Sequence, residues 1–516
     1  KIINVNYCVF LYYCVRRKIR RVCMTNKISR RKFLKVVAGS GVVGFGVMAA
    51  GCKGDPSGAQ GWIPDQYQGK GDFPVNLKGR IAISQDNPSI ERDDEKCILC
   101  GQCVEACKNV MGVYGNYPLP LKNEVACVGC GQCTIACPSG AITEKRNIQD
   151  VLAAIDDDSK HVVVQTAPAT KVSLGEEFGM EPGASVGKKM VGALKEVGFD
   201  AVFDTCFSAD LTIMEEASEF VHRLTKAKDE IPHLTSCCPG WVKYCEYFYP
   251  ELMHNLSTCK SPQNMMGATI KSFYAEKKGI KPENIINVSI MPCTAKKFEV
   301  GREELQVDDQ RDMDYVLTTR ELAVLLKHKG IDLNTVAESE YDSVLGESTG
   351  AGKIFGATGG VTEAAVRTAY YLATGSNPPA DLFSWQPVRG MKAVKEANAT
   401  IPGVGTVNIA VCHGLENARQ LLNGIKEHGS KWQFIEFMAC PGGCIGGGGQ
   451  PKSSVPDIKQ KRIAAIYKED TSSAKRCSHD NTEIQSIYKE FYGKPLSEKA
   501  EKYLHTSFVN RHDRLF

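Results

Sequence analysis

With 516 residues, 43% hydrophobic and 24% charged, the chain has the make-up of a globular protein of about three domains. Its net charge of +4 is unevenly spread: residues 1–52 hold 11 Lys/Arg and no Asp or Glu, which leaves 52 basic against 59 acidic residues, a net of −7, for the rest. That distribution excludes a broad basic face for nucleic acid, and the 22 cysteines in so long a chain favour metal binding over a disulfide scaffold.

The first 52 residues read as a leader. Ser29-Arg30-Arg31-Lys32-Phe33-Leu34-Lys35 precedes the Gly-rich apolar run 36–50, the order of an export signal, and the paired arginines resemble a twin-arginine signal. The run is too short and Gly-rich to read as a membrane-spanning helix. Passage through the twin-arginine export machinery and a periplasmic or extracytoplasmic location are therefore expected. Cys52, in Ala-Ala-Gly-Cys, resembles a lipoprotein acylation site with Ala49 where leucine is usual, so a lipid anchor at Cys52 is a further expectation. Met24 would make a normal start directly before the signal, and residues 1–23 read as upstream sequence. Residues 53–90, rich in Gly, Pro, Asp and Gln, read as a tether.

Residues 91–146 carry an internal repeat. Cys97-x2-Cys100-x2-Cys103-x3-Cys107 recurs as Cys127-x2-Cys130-x2-Cys133-x3-Cys137, with Pro138 after the last cysteine and Lys108 in place of the first proline. This is the two-cluster bacterial ferredoxin pattern, in which the fourth cysteine of each run crosses to the other cluster. Cys97, Cys100, Cys103 and Cys137 would hold one 4Fe–4S cluster, and Cys127, Cys130, Cys133 and Cys107 the second. Paired zinc knuckles are the competing reading, and the x2-x2-x3 repeat disfavours them.

Residues 155–455 alternate short β-branched runs with amphipathic stretches, which predicts an α/β domain. Strands are expected at 161–166, 201–204, 285–290, 315–318, 407–412 and 433–437, and helices at 186–197, 211–226, 320–328, 361–373 and 415–427. Three cysteine motifs punctuate this region: TSCCPGW at 235–241, MPCTAKKFE at 291–299 and EFMACPGGCIGGGGQP at 436–451. Together they offer a four-thiolate site, as an iron–sulfur cluster or a structural zinc requires. The last two directly follow apolar strand runs, and Thr166-Ala167-Pro168-Ala169 follows another, where an open α/β sheet presents its ligand crevice. The glycines 446–449 would let backbone pass close to a large cluster. A phosphate loop would need a following Lys-Ser/Thr, and Gln450-Pro451 does not supply it.

The wording of the three motifs resembles the active-site signatures of iron-only (FeFe) hydrogenases. The resemblance implies an H-cluster: a 4Fe–4S cubane on Cys238, Cys293, Cys440 and Cys444, the last bridging to a two-iron unit that carries CO, cyanide and a bridging dithiolate. It implies that Cys237 passes protons to that unit, and that Glu299, Ser257 and Glu219, with Arg223 one helical turn beyond Glu219, carry them onward. Lys296 would hydrogen-bond a cyanide. Ala167, Pro168, Pro262, Gln263, Met291 and Met438 would line the pocket.

The expected architecture is thus an α+β two-cluster ferredoxin-like domain, an α/β H-cluster domain and a helical extension. Residues 456–516 resemble the small-subunit segment that wraps the catalytic domain in some family members, and nothing in them looks catalytic. The implied activity is reversible oxidation of dihydrogen, with electrons leaving through two 4Fe–4S clusters to a ferredoxin or cytochrome c. Maturation proteins would supply the two-iron unit. An export route that carries folded cargo suits clusters inserted in a reducing compartment. A non-catalytic relative of the family, or a pure electron-transfer module, is the competing reading; the latter gives no role to Cys237, Lys296 or Glu299.

Overall fold

The computed structural model describes residues 79–116 and 124–515, which lie within one compact unit. The expectations for the export signal, residues 1–23 and Cys52 fall outside the described residues. Among the described residues, no helix is long and apolar enough to cross a membrane.

In the ferredoxin-like region the two cysteine runs are bracketed by an antiparallel pair, β1 (Ile90–Arg92) and β2 (Ile142–Glu144). Gly101 and Gly131 occupy equivalent left-handed positions, with φ of 81° and 69°, immediately before the short helices that carry Cys103 and Cys133. The sequence repeat is therefore also a structural one.

The region after this repeat is built on two four-stranded sheets. The first is wholly parallel, in the order β4 (Ala201–Asp204), β3 (His161–Thr166), β6 (Ile285–Met291), β7 (Tyr315–Thr318). Its strands are nearly all buried, as β-branched runs covered on both faces should be. The second runs β8 (Val394–Ile401), β9 (Gly405–His413), β10 (Phe434–Met438), β5 (His233–Leu234), with β8–β9 an antiparallel hairpin and the other pairs parallel.

Helices cover these sheets: α1 (Gly187–Val197), α2 (Thr205–Lys226), α3 (Pro239–Phe248), α4 (Pro262–Thr269), α5 (Ala295–Val300), α6 (Thr319–His328), α7 (Gly360–Thr374) and α8 (Leu415–His428). The turn from β7 into α6 is closed by a capping box between Thr318 and Glu321, which satisfies two helix-end donors.

The decisive helix for function is α2. Asp204 caps it by accepting from the Cys206 N–H, and it runs through the protein interior with Asp210, Glu215, Glu216, Glu219 and Arg223 all buried. Buried charge on this scale is informative, because it persists only where partners are supplied.

The C-terminal segment is more than a polar tail. It carries α9 (Ile458–Thr471) and α10 (Glu498–Leu504) and packs Ile484, Ile487, Tyr488, Tyr492 and Leu504 into a core shared with Phe203, Phe207 and Met265.

Candidate metal centre and proton path

Four loops meet at the carboxyl ends of parallel strands, two from each sheet. Ala167 and Pro168 follow β3, and Cys293 follows β6. Cys237 and Cys238 follow β5, and Cys440 and Cys444 follow β10. The centre is therefore held between two sheets, rather than in the crevice of one. Pro239 and Pro262 stand at the first positions of α3 and α4, where a missing N–H costs nothing. Both helices thus begin at the site, with their positive ends toward whatever anionic group it holds.

These loops enclose a cavity of about 80 Å³. Cys237, Cys238, Cys293, Cys444 and Lys296 line it together with Ala167, Pro168, Pro262, Gln263, Met291 and Met438, so the expected pocket residues converge on one place. Phe355 and Gly356 complete the wall, and the lining is largely apolar.

The donor sets fit iron–sulfur clusters. Burial pushes the Cys440 thiol well up, and the neighbouring Cys293, Cys130, Cys238 and Cys444 push the same way, which marks these groups as mutual neighbours. Burial, then Cys238, pushes Cys293 up to about 12. Such a cluster of buried thiols becomes thiolate only around a cation. Cys97, Cys100, Cys103 and Cys137 surround a second small cavity. Cys107, Cys127, Cys130 and Cys133 form a third cluster: burial and then Cys127 take Cys107 to about 12, and burial with neighbouring thiols pushes Cys130 and Cys133 well up. Backbone and amide N–H groups point at several sulfurs: Ala439 N to Cys238 Sγ at 3.4 Å, Asn87 Nδ2 and Gly129 N to Cys127 Sγ, each at 3.4 Å, and Ile142 N to Cys137 Sγ at 3.5 Å. Such donors stabilise thiolate ligands and tune the cluster.

Lys296 Nζ donates to Glu299 Oε2 at 2.8 Å and to the Cys237 carbonyl oxygen at 3.3 Å. Burial opposes the ammonium, but Glu299, with smaller help from Cys293 and Cys237, holds the Lys296 pKa above its ordinary value. Ser261 Oγ and Gln263 Nε2 each donate to the same Glu299 oxygen at 3.0 Å. The lysine therefore stays charged at the cavity wall, a fitting donor to an anionic diatomic ligand.

Of the expected proton carriers, Ser257 and Glu219 are joined directly, whereas Glu299 is engaged elsewhere. Glu299 is spent on Lys296, Ser261 and Gln263, and no hydrogen bond joins it to Ser257 or Glu219. The carboxylate beside Cys237 is Glu216, which the sequence reading passed over. Burial pushes the Cys237 thiol well up and Glu216 is the next cause, so Cys237 is a neutral, proton-bearing thiol. Glu216 is itself buried, with Oε1 3.7 Å from His233 Nε2. Three residues on, along the same face of α2, Glu219 accepts from Ser257 Oγ at 2.7 Å, Arg223 Nη2 at 2.7 Å and Thr258 N at 3.1 Å. Burial would raise Glu219, but His233, Arg223, Ser257 and Thr258 hold it at about 2. The signal for Glu216 was its i, i+3 spacing from Glu219.

Comparison with known proteins agrees with this geometry. Residues 160–448 match the family model described as the iron only hydrogenase large subunit, C-terminal domain. The chain belongs to the iron-only hydrogenase family. Residues 456–511 match the iron hydrogenase small subunit and 96–142 a 4Fe-4S dicluster domain. The chain is 46% identical over 82% of its length to the NADP-reducing hydrogenase subunit HndD of Solidesulfovibrio fructosivorans, covering 75% of that protein. It is 46% identical over 70% of its length to the periplasmic [Fe] hydrogenase large subunit of Nitratidesulfovibrio vulgaris, covering 86% of it. A solved structure of a variant of the [FeFe]-hydrogenase HydA1 from Chlamydomonas reinhardtii superimposes with a TM-score of 0.63 at 43% identity, covering 70% of this chain and 98% of that one. The family extends to Protein NAR1 of Arabidopsis thaliana, 32% identical over 72% of the chain and 84% of that protein.

As an iron-only hydrogenase family member the chain carries the H-cluster and two further 4Fe–4S clusters. The second ferredoxin-type loop is pressed against the H-cluster loops: Gln132 Nε2 donates to the Gly446 carbonyl at 2.8 Å, Thr134 Oγ1 to that of Gly448 at 3.0 Å, and Thr294 Oγ1 to that of Gly129 at 2.6 Å. The glycine run serves this contact. A Cβ at Gly447 would lie 2.2 Å from the Pro292 carbonyl oxygen, so neighbouring backbone, rather than the cluster alone, requires the missing side chains. The small-subunit-like segment is locked on by buried ion pairs: Arg462 forks onto Glu176 at 2.7 and 2.6 Å, and Asp470 pairs with Arg367.

Proposed function

We propose that the protein catalyses the reversible oxidation of dihydrogen to two protons and two electrons. The observation that carries this reading is the convergence, on one apolar cavity, of the bridging-type ligand Cys444, the proton-bearing thiol of Cys237 and the ammonium of Lys296. When bound, the two-iron unit supplies the site at which dihydrogen is split and re-formed. The protein supplies position, a dry wall and a proton route. Lys296, kept charged by Glu299, orients an anionic ligand of the unit. Cys237 exchanges a proton at the cavity with Glu216 as its neighbouring carboxylate, and the hydrogen-bonded pair Ser257 and Glu219 carries it outward. Against burial, His233, Arg223 and Ser257 keep Glu219 resting as the carboxylate, so it holds a proton only in passing.

Electrons leave through the two ferredoxin-type clusters to a ferredoxin or cytochrome c. The outer cluster supports this assignment: Cys100 is exposed, and Ile98 and Leu99 beside it are 64% and 45% exposed, an apolar rim suited to a transient redox partner. The twin-arginine-like leader and the periplasmic relative support export to the periplasm. Maturation proteins and the export machinery are accordingly proposed partners.

Similarity to NAR1 gives a second reading, an iron–sulfur protein without hydrogen turnover. An infrared spectrum of anaerobically purified protein, expressed with the maturation machinery, separates the two. Sharp CO and cyanide bands that shift under hydrogen are expected; their absence would remove the hydrogenase reading.

A further inference from the structure

Glu219 is not the surface, and its guanidinium partner cannot serve as the next carrier. An arginine side chain does not release its proton in proteins, so Arg223 can orient and stabilise Glu219 but cannot relay for it. A second branch leaves the same carboxylate. Thr258 Oγ1 lies 3.1 Å from Glu219 Oε1 and 2.7 Å from Nδ1 of His505. His505 is contributed by the C-terminal segment, at the end of α10, and its Nε2 lies 3.2 Å from Glu215 Oε2. Glu215 in turn accepts from the Tyr488 hydroxyl and the Leu496 N–H.

Backbone fixes this contact. Residues 258–260 and 504–506 form a short antiparallel ladder: Lys260 N donates to the Leu504 carbonyl at 2.8 Å, and Thr506 N to that of Thr258 at 2.7 Å. The titratable and charged groups facing His505 are Glu215 and Glu219 on α2, the latter paired with Arg223, Cys259 on the ladder, Tyr488 through Glu215, and Glu501 and Lys502 on α10 itself. Thr258 and His505 are half-buried residues, whereas Glu219 and Glu215 are buried, so this branch leads from the interior toward solvent.

We propose that Thr258 and His505 form the outer end of the proton path, a branch that resides in the small-subunit-like segment. The inference rests on the hydrogenase reading above. Outward, protonated Glu219 gives its proton to Thr258 Oγ1 as Thr258 passes its own to Nδ1. The imidazolium then releases its Nε2 proton past Glu215 to water, and the chain resets when the hydroxyl rotates and the remaining Nδ1 proton moves to Nε2 by a ring flip or exchange through water. One proton moves and no charge remains. Imidazole is suited to this exchange near neutral pH, and a hydroxyl can donate and accept in turn. His505 acts through Glu219 and is a positioning and relay residue, not a catalytic one.

The test uses the matured holoenzyme. His505→Gln and Thr258→Val should each slow turnover at least tenfold, alter the pH profile and enlarge the solvent deuterium effect, with the CO and cyanide bands unmoved. Added imidazole should restore part of the His505→Gln rate, and Thr258→Ser should retain it. Wild-type rates, pH profile and isotope effect in both impaired variants would overturn the branch; if His505→Gln does not fold, Thr258→Val decides. A wild type without turnover would overturn the function instead. The branch is then read from the carboxylate stretch of Glu219, assigned with Glu219→Gln. That band must respond to pH in the wild type and stay fixed in His505→Gln, and a wild-type band indifferent to pH overturns the branch.

Discussion

Gly448 approaches Cys130 so closely that a Cβ on it would stand 2.2 Å from the Cys130 carbonyl oxygen. One residue of the H-cluster loop is thereby seated against the ligand loop of the nearer ferredoxin-type cluster, and the electron step between them depends on that seat. Gly448→Ala should push the loops apart, at about 1–3 kcal/mol of overpacking. The expected result is a lower melting temperature and slower reduction of the ferredoxin clusters by hydrogen, while their reduction by dithionite stays normal. Equal rates from both reductants would show that this contact does not govern electron transfer.

Glu216 and Glu299 should separate cleanly on mutation. Glu216→Gln keeps shape and removes the only proton-exchanging group of the side chain, so turnover should fall by about 10²-fold or more, the usual worth of a positioned acid–base group. Its CO and cyanide bands should not move. Glu299→Gln leaves the Lys296 ammonium without its counter-charge, and here the cyanide bands should shift. Measuring rate and infrared spectrum on both variants checks the assignment; a Glu216→Gln enzyme as fast as wild type would return the route to Glu299.

Much of this was legible in the sequence, for physical reasons. The runs at 161–166, 201–204 and 315–318 coincide with β3, β4 and β7, because strands buried on both faces must be continuously apolar or β-branched. Strand β8 was not anticipated: VKEANATI has weak strand preference, and its conformation comes from pairing with β9 along its whole length. Strand β5, two residues long, exists only through β10. Helix α2 begins at Thr205 rather than the expected 211, since Asp204 caps a stretch whose Thr, Cys and Ser read as loop. The same helix hid Glu216. In MEEASEF the sequence reading singled out Glu219 alone, and only the packing around α2 shows that Glu215 and Glu216 are buried with it.

A pH-dependent stability follows from His413, at the end of β9. Burial, then Lys395, lowers its pKa to about 4, and Nε2 is engaged with the Met391 carbonyl at 3.2 Å. A depressed folded-state pKa contributes stability that is complete above the unfolded value of about 6.5 and is lost as pH falls toward 4. Between pH 6.5 and 5 the loss should be about 1.6 kcal/mol, since the slope reaches its full value of roughly 1.36 kcal/mol per unit only well below 6.5. Anaerobic thermal unfolding at these two pH values should show a drop in the wild type that is smaller in His413→Gln. An identical drop in both would assign the acid sensitivity elsewhere.

Arg367 anchors the C-terminal segment, and with it the proposed outer end of the proton path. Its guanidinium is fully buried and binds Glu363 at 2.6 Å, Asp470 at 3.1 Å and the Arg476 carbonyl at 2.8 Å. Arg389 and Arg476 also reach this pair of carboxylates, so removing Arg367 leaves them partly rather than wholly uncompensated. Arg367→Met should therefore cost about 3 kcal/mol, toward the low end for breaking a buried ion pair. Arg367→Lys should recover little of it, because an ammonium cannot reproduce the fork that joins two carboxylates and a carbonyl. The loosening should be local first: limited proteolysis should cut between α9 and α10 in the variant before the catalytic region unfolds. Because His505 lies beyond that cut, turnover should fall in step with cleavage while the CO and cyanide bands persist. Cleavage without loss of turnover would mean that the segment holds the fold but carries no protons.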